Sequence, residues 1–126
     1  MRAVLLILIA ALAACAGQPE ARSWEEKLAA RGYVVAEPVT TIRNYRINGW
    51  NELDRSHVII EAGVSERYLL TLLRPCDGVR TANTLAFSTS AGALTKFDQL
   101  YVRGPGNRFE NCRIDTVHRL ERVKGS

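Results

Sequence analysis

The sequence contains little of what metal and catalytic sites are usually built from. Its 126 residues include only two histidines, three cysteines and one methionine. No C-x-x-C or H-x-x-x-H spacing, no Gly-x-Ser-x-Gly motif and no glycine-rich phosphate loop is present. The common zinc patterns, the nucleophile elbow of α/β-hydrolases and the dinucleotide fingerprint are therefore excluded. We predict no cofactor and no resident metal.

Proline, glycine and charge are not abundant enough to suggest an unusual chain. The sequence has 4 Pro and 9 Gly, is 47% hydrophobic and 24% charged, and carries 17 Lys+Arg against 13 Asp+Glu, a net charge of +4. These values exclude a disordered tail, a collagen-like repeat and a polytopic membrane protein. The length supports one small domain.

The first residues are predicted to be a signal that is removed from the protein. Arg2 is followed by a short apolar run that ends in small residues, which is the three-part pattern of a secretory signal. The run is too short for a stable membrane span, which needs about 20 residues. We expect residues 1–14 to be a signal peptide, residues 15–22 a tether and residues 23–126 one β-rich domain with a disulfide.

The end of the apolar run resembles the lipobox of bacterial lipoproteins. Leu12-Ala13-Ala14-Cys15 ends in a cysteine, whose thiolate is a good nucleophile for acyl and thioether chemistry. The resemblance implies lipidation of Cys15 and cleavage before it, and several acyl chains anchor a protein firmly. Ala16 favours placement in the outer membrane, facing the periplasm. The alternatives are ordinary cleavage that leaves an unanchored product, or a buried strand.

Cys76 and Cys112 are the other two cysteines. Outside the cytoplasm such a pair in a small domain is most simply a disulfide. The competing interpretation is a metal site in which both thiolates act together with His57 or His118. Without that site, we expect both histidines to be solvated surface side chains.

One short helix and a series of strands are predicted. Ser23-Trp24-Glu25-Glu26 matches a capping box, and Gly32 supplies a C-terminal stop. We expect a helix of about two turns that packs through Trp24 and Leu28. The strands that follow are predicted from runs rich in β-branched and aromatic residues. The predicted strands are Thr41–Ile47, Trp50–Leu53, His57–Ala62, Tyr68–Arg74, Leu85–Ser90, Phe97–Arg103 and Cys112–Leu120.

The turns and the apolar pattern predict how the strands are arranged. Asn48-Gly49 is the strongest hairpin signal in the chain, because both residues tolerate a positive φ. Residues 68–73 are apolar at nearly every position, which predicts a central strand covered on both faces. The expected fold is mainly β, of the α+β type. It is a small antiparallel sheet closing toward a barrel, which protects strand edges, with one helix beside it.

Several segments together resemble a family of short proteobacterial lipoproteins of unknown function. They are Trp50-x-x-Leu53-Asp54, Tyr68-Leu69-Leu70-x-Leu72-x-x-Pro75-Cys76, Ala86-Phe87-Ser88, Phe97-Asp98 and Cys112-x-Ile114. The resemblance covers roughly residues 40–120. It implies a secreted single domain in which Cys76 is joined to Cys112, and it brings no activity, ligand or catalytic residue.

Asp98 is the candidate for a special site, because it follows Phe97 inside an otherwise apolar strand. A buried carboxylate needs an arginine or backbone donors, and Arg74 or Arg80 near Cys76 are candidates for a structural ion pair. Ligand binding and catalysis at Asp98 remain as alternatives.

Two classes of function remain open. The first is a lipid-anchored binding or accessory module that engages an envelope protein or a cell-wall glycan through its sheet surface or through loop 104–111. The second is a small envelope hydrolase or inhibitor-like factor with a site around Asp98 and Tyr101. Dispersed positive charge on an aromatic-bearing barrel also fits single-stranded nucleic acid, but export removes that partner.

Overall fold

The computed structural model describes residues 23–43, 46–88 and 92–123. The predicted signal peptide, the lipidation site at Cys15 and the tether all lie outside these residues. Among the helices of the described part of the chain, none has the length and apolar character needed to cross a membrane.

The predicted helix is present at the start of the described chain. Helix α1 spans Trp24–Ala30, and the Ser23 side chain accepts a hydrogen bond from the Glu26 backbone N–H at 3.3 Å, as the capping box predicts. Gly32 follows the helix with a φ of +87°, a conformation that glycine adopts without steric cost. Leu28 is buried, so the predicted packing face is confirmed.

Nine strands and two short 3-10 helices follow within the described residues. The 3-10 helices are Asp77–Arg80 and Pro105–Asn107. The strands are β1 (Tyr33–Pro38), β2 (Thr41–Arg43), β3 (Ile47–Asp54), β4 (His57–Ala62), β5 (Glu66–Leu72), β6 (Thr84–Phe87), β7 (Ala93–Thr95), β8 (Gln99–Gly104) and β9 (Arg108–Arg122).

Seven of these strands form one antiparallel sheet that curls into a half-barrel. The order is β3-β4-β5-β9-β8-β6, and β1 also pairs with β9. Strand β9 is long enough to have β5 along one edge and both β8 and β1 along the other. Strands β2 and β7 pair separately. The predicted fold class, a mainly antiparallel β protein with one short helix, is confirmed.

Strand β5 separates two hydrophobic clusters. Leu70 lies in the larger cluster with residues such as Ile60, Leu100 and Val117, whereas Leu69 lies in a smaller cluster with Leu28 of the helix. Neighbouring side chains of a strand point to opposite faces, so β5 is buried on both sides. The prediction of a doubly covered central strand at residues 68–73 is confirmed for the strand's own span.

The hairpin predicted at Asn48-Gly49 is wrong. Both residues lie inside β3, at a register shift between Ile47 and Gly49. An added Cβ at Gly49 would approach the Glu61 Oε2 atom to 2.7 Å, so glycine serves a close approach here and not a turn. The turn between β4 and β5 contains Gly63 at a φ of +60°.

Other boundaries also differ from the prediction. Strands β1 and β7 were not predicted. The predicted strand 41–47 is divided, because β2 pairs with β7 and β3 pairs with β4. The predicted loop 104–111 is shorter, since β9 already begins at Arg108. Phe97 and Asp98 lie in the turn before β8 and not in the strand.

Candidate functional site

Asp98 organises the turn between β7 and β8. Its carboxylate accepts hydrogen bonds from the Thr95 backbone N–H at 2.7 Å, the Thr95 hydroxyl at 3.1 Å and the Ser88 hydroxyl at 3.3 Å. The residue is only 8% exposed. Three donors satisfy most of what a buried carboxylate needs, so this geometry is that of a turn-stabilising residue.

Ser88 connects the same turn to the end of β6. The Ser88 backbone N–H donates to the Gln99 carbonyl at 3.0 Å, and the Ser88 hydroxyl accepts from the Gln99 backbone N–H at 2.8 Å. The hydroxyl also donates to Asp98. The turn is therefore held to the sheet by side chains as well as by backbone pairing.

The side chain that this turn presents is Phe97. Its backbone N–H donates to the Thr95 hydroxyl at 3.1 Å, while the residue is 80% exposed. The Lys96 Nζ atom lies 5.3 Å from the centre of the phenyl ring, within the range of a cation–π contact. A single exposed apolar residue is common on protein surfaces, so its meaning depends on the surface beside it.

Phe97 borders a groove of about 330 Å³, which we call the Phe97 groove. It lies between the β7–β8 turn, the chain that joins β1 to β2, and the middle of β9. Its lining is largely apolar, with Lys96 and His118 as the ionisable groups. The lining residues are Pro38, Val39, Thr40, Lys96, Phe97, Thr116, Val117 and His118.

The structure does not bring Arg74 or Arg80 to Asp98. Arg74 lines a separate groove beside Cys112, and Arg80 ends the first 3-10 helix and lines a third groove with Asp54. The donors to Asp98 are a backbone N–H and two hydroxyls, so the predicted arginine pair is replaced by the other option, local donors. Tyr101 lies on β8 opposite Ala86, and no hydrogen bond joins it to Asp98 in the described part of the chain.

His57 is buried, and its prediction as a solvated side chain is wrong. It is 8% exposed, its Nδ1 atom lies 2.8 Å from the Asp54 Oδ1 atom, and its ring stacks on Trp24 with centroids 4.6 Å apart. Asp54 also accepts the Ser56 backbone N–H at 2.8 Å. An acid next to an imidazole is part of a catalytic triad. Here, however, the ring lies beneath Trp24 and attaches helix α1 to the β3–β4 turn.

Cys76 and Cys112 lie at disulfide distance, with Cα atoms 6.0 Å apart, a usual value for a disulfide. A carboxylate oxygen of Glu110 is near both sulfur atoms, and the three ligand atoms lie within 4.8 Å of one another. Glu110 Oε1 accepts the Gly78 backbone N–H at 2.8 Å. Neither His57 nor His118 belongs to this group, so the metal site predicted as the alternative is not assembled.

Sequence reasoning identified Asp98 but missed the groove beside it. The position of an acidic residue after Phe97 in an apolar run was a usable signal. The exposure of Phe97 could not be predicted, because the sequence pattern placed residue 97 inside a strand. A weak indication of the Asp54–His57 pair was present in the sequence, because an acid and a histidine lie three residues apart across a tight turn.

Comparison with known proteins gives one match. The pattern of a family of unknown function (DUF6491) matches residues 1–125 of the chain. No curated protein and no solved structure matches it significantly.

Proposed function

The chain belongs to the family of unknown function DUF6491, and on that premise we propose that it is an exported, lipid-anchored binding module. Its anchor is Cys15 in the outer membrane, and its contact surface on the periplasmic side is the Phe97 groove. The observation that carries the binding role is the exposed Phe97 side chain, which lies on the turn that Asp98 stabilises.

The anchor is supported by the sequence alone. A charged start, an apolar run and Leu12-Ala13-Ala14-Cys15 together match an export signal whose cysteine is acylated. The eight residues from 15 to 22 then connect the lipid to the capped start of helix α1. Extended, they span at most about 28 Å, so the domain stays close to the membrane surface.

Metabolic labelling with palmitate tests the anchor. We expect label in the wild type, label in a Gln18→Ala control, and none in Cys15→Ala. Incorporation of label into Cys15→Ala would contradict lipidation at this residue. Fractionation of the same three proteins tests export separately from acylation.

The partner that best fits the Phe97 groove is a protein with an acidic or neutral surface. The lining offers apolar contact from Phe97, Val39 and Val117, which suits protein side chains better than a hydrated sugar. Lys96 is exposed beside the groove, and the chain without its proposed signal peptide has 16 Lys+Arg against 13 Asp+Glu, a net charge of +3, so an acidic partner is attracted. A cell-wall glycan is the competing occupant.

Crosslinking from position 97 tests this role. In Phe97→p-benzoylphenylalanine, we expect one repeatable envelope protein to be captured. The same replacement at Phe109, another exposed aromatic residue, serves as the matched control. We then expect the purified captured protein to bind the full chain directly, with at least tenfold weaker binding to Phe97→Ala, about the value of a central aromatic contact.

Two results would overturn this role. One is capture of glycan in place of protein at position 97. The other is equal binding of the captured protein to wild type, Phe97→Ala and Phe109→Ala. The hydrolase alternative has no supporting geometry at Asp98, whose oxygen atoms are engaged by the turn itself.

A further inference from the structure

The half-barrel has an open seam between the two ends of its main sheet. Strand β3 begins the order and β6 ends it, and no pairing joins these two strands within the described residues. A groove of about 460 Å³ lies between them. We call this groove the seam; its lining residues are Ile47, Asn48, Gly49, Trp50, Leu85, Ala86 and Phe87.

The seam is lined by uncharged residues and borders the main core. Ile47 and Trp50 from β3, together with Leu85 and Phe87 from β6, are partly buried and pack against the larger hydrophobic cluster. None of the residues that line the seam is charged. Side chains from both edges therefore offer apolar contact to whatever lies between them.

Among the residues that the structure describes, no strand pairs with the outer edge of β6. The Ser88 N–H donates to the Gln99 carbonyl, and backbone groups of an antiparallel strand alternate in direction. The N–H and C=O groups of Leu85 and Phe87 therefore point away from β8, toward the seam. The side chains of these two residues point inward, as their partial burial shows.

The two edges of the seam are not equally accessible. Strand β3 has register shifts near both ends, and Arg31 Nη2 donates to the Glu52 carbonyl at 3.0 Å. Bulges and covering side chains are the usual protection of an edge strand. The four residues Thr84–Phe87 contain no charge, no proline and no register shift, so β6 is the more regular of the two edges.

We propose that the seam accepts an extended segment of another polypeptide, which adds to β6 as an antiparallel strand. Such a segment has apolar residues at alternate positions facing the core and neutral or acidic residues facing outward. Without Arg2, which lies in the proposed signal peptide, the chain has 16 Lys+Arg against 13 Asp+Glu, a net charge of +3, which opposes a second copy of this basic chain and attracts an acidic partner. This surface is separate from the Phe97 groove, so the inference goes beyond the proposed function.

Designed peptides test the backbone pairing. The unmodified peptide has eight residues that alternate valine and threonine, and one further glutamate at each end. In an antiparallel strand on β6, valines that face the core lie opposite Leu85 and Phe87, and their N–H groups point toward β6. N-methylation of the valines should weaken binding about tenfold or more. N-methylation of the threonines, whose N–H groups face β3, should have a much smaller effect.

Binding is measured by NMR titration of the full chain with each peptide. We expect amide shifts confined to residues 84–88 and 47–50, and we expect Trp50→Ala to weaken binding while Phe109→Ala leaves it unchanged. Equal binding of both N-methylated peptides, or shifts centred on the Phe97 groove, would overturn the proposal. Absence of any shift with the unmodified peptide at millimolar concentration would overturn it as well. Each of these results leaves the crosslinking test at Phe97 unaffected.

Discussion

Asp98 has a structural role that its surroundings define at the level of single atoms. The Thr95 N–H is the shortest of its hydrogen bonds, at 2.7 Å, and the Ser88 hydroxyl links the turn to β6. A carboxylate accepts on both oxygens, which is what three converging donors require. The exposed position of Phe97 depends on this arrangement.

Replacing Asp98 by asparagine should therefore destabilise the domain. The amide nitrogen cannot accept a hydrogen bond, so at least one donor in the turn loses its partner. We expect a loss of about 1–3 kcal/mol in the free energy of unfolding, measured by urea denaturation. Asp115→Asn is the control, because Asp115 is exposed on β9 and its change should be within about 0.5 kcal/mol. Unchanged stability in Asp98→Asn would contradict the structural role.

For single residues, the sequence predicts which residue is important more readily than it predicts the hydrogen-bond partners of that residue. Asp98 stands out because a charge in an apolar run needs compensation. The compensation comes from Thr95 and Ser88, which are three and ten residues away, and short polar side chains give no distinctive signal. The burial of His57 depends on Trp24 folding over it, a tertiary contact between residues far apart in the chain.

At the scale of elements, one cluster of exposed charges joins β1 to β9 in addition to their backbone pairing. Arg119 donates through Nε to Glu37 Oε1 at 2.6 Å and through Nη2 to Glu37 Oε2 at 3.2 Å. Its Nη2 also donates to Glu121 at 2.7 Å. These hydrogen bonds hold the pKa of Glu37 below its usual range and raise the pKa of Arg119.

Because the pKa of Glu37 is lowered in the folded protein, the stabilisation that Glu37 contributes depends on pH in a defined direction. Its favourable contribution is present above the ordinary carboxyl pKa and is lost as the pH falls through the lowered folded-state pKa. We expect Glu37→Gln to have a lower Tm than wild type at pH 7. The two melting curves should converge toward pH 3. The effect is small, because the pair is exposed and screened by solvent.

Melting temperatures between pH 3 and pH 8 measure this effect, with Asp115→Asn as the unpaired control. The control should show no comparable convergence with wild type. A Glu37→Gln deficit that is the same at pH 3 and pH 7 would show that the charge pair is not its source. Added salt should reduce the deficit at pH 7.

The helix and strands that the sequence predicted correctly were those with a signal in neighbouring residues of the chain. The capping box located helix α1, and the unbroken apolar run located β5 between two clusters. Strand β1 was missed because its pairing partner, the end of β9, is more than eighty residues away. Asn48-Gly49 misled because the same dipeptide suits a turn or a bulge, and the contact with Glu61 that decides between them is tertiary.

At the scale of the whole molecule, the sheet leaves a barrel incomplete and one cross-link spans it. Cys76 precedes the first 3-10 helix, which connects β5 to β6, and Cys112 lies in β9. The cross-link therefore joins the connection that leads to the open edge strand with the strand at the centre of the sheet. Both sulfur-bearing residues are buried in the larger cluster.

Removing this cross-link should destabilise the domain without changing its fold. The cysteines are 36 residues apart, and closing a loop of that length is worth roughly 3–4 kcal/mol in the chain-entropy model. We expect Cys76→Ala/Cys112→Ala, compared with oxidised wild type by urea denaturation, to lose a free energy of unfolding of that order. Reduced wild type should unfold near the double variant. If thiol titration of non-reduced protein finds Cys76 and Cys112 both free, the pair is not oxidised, and the proposed export to an oxidising compartment loses the support of this cysteine pair.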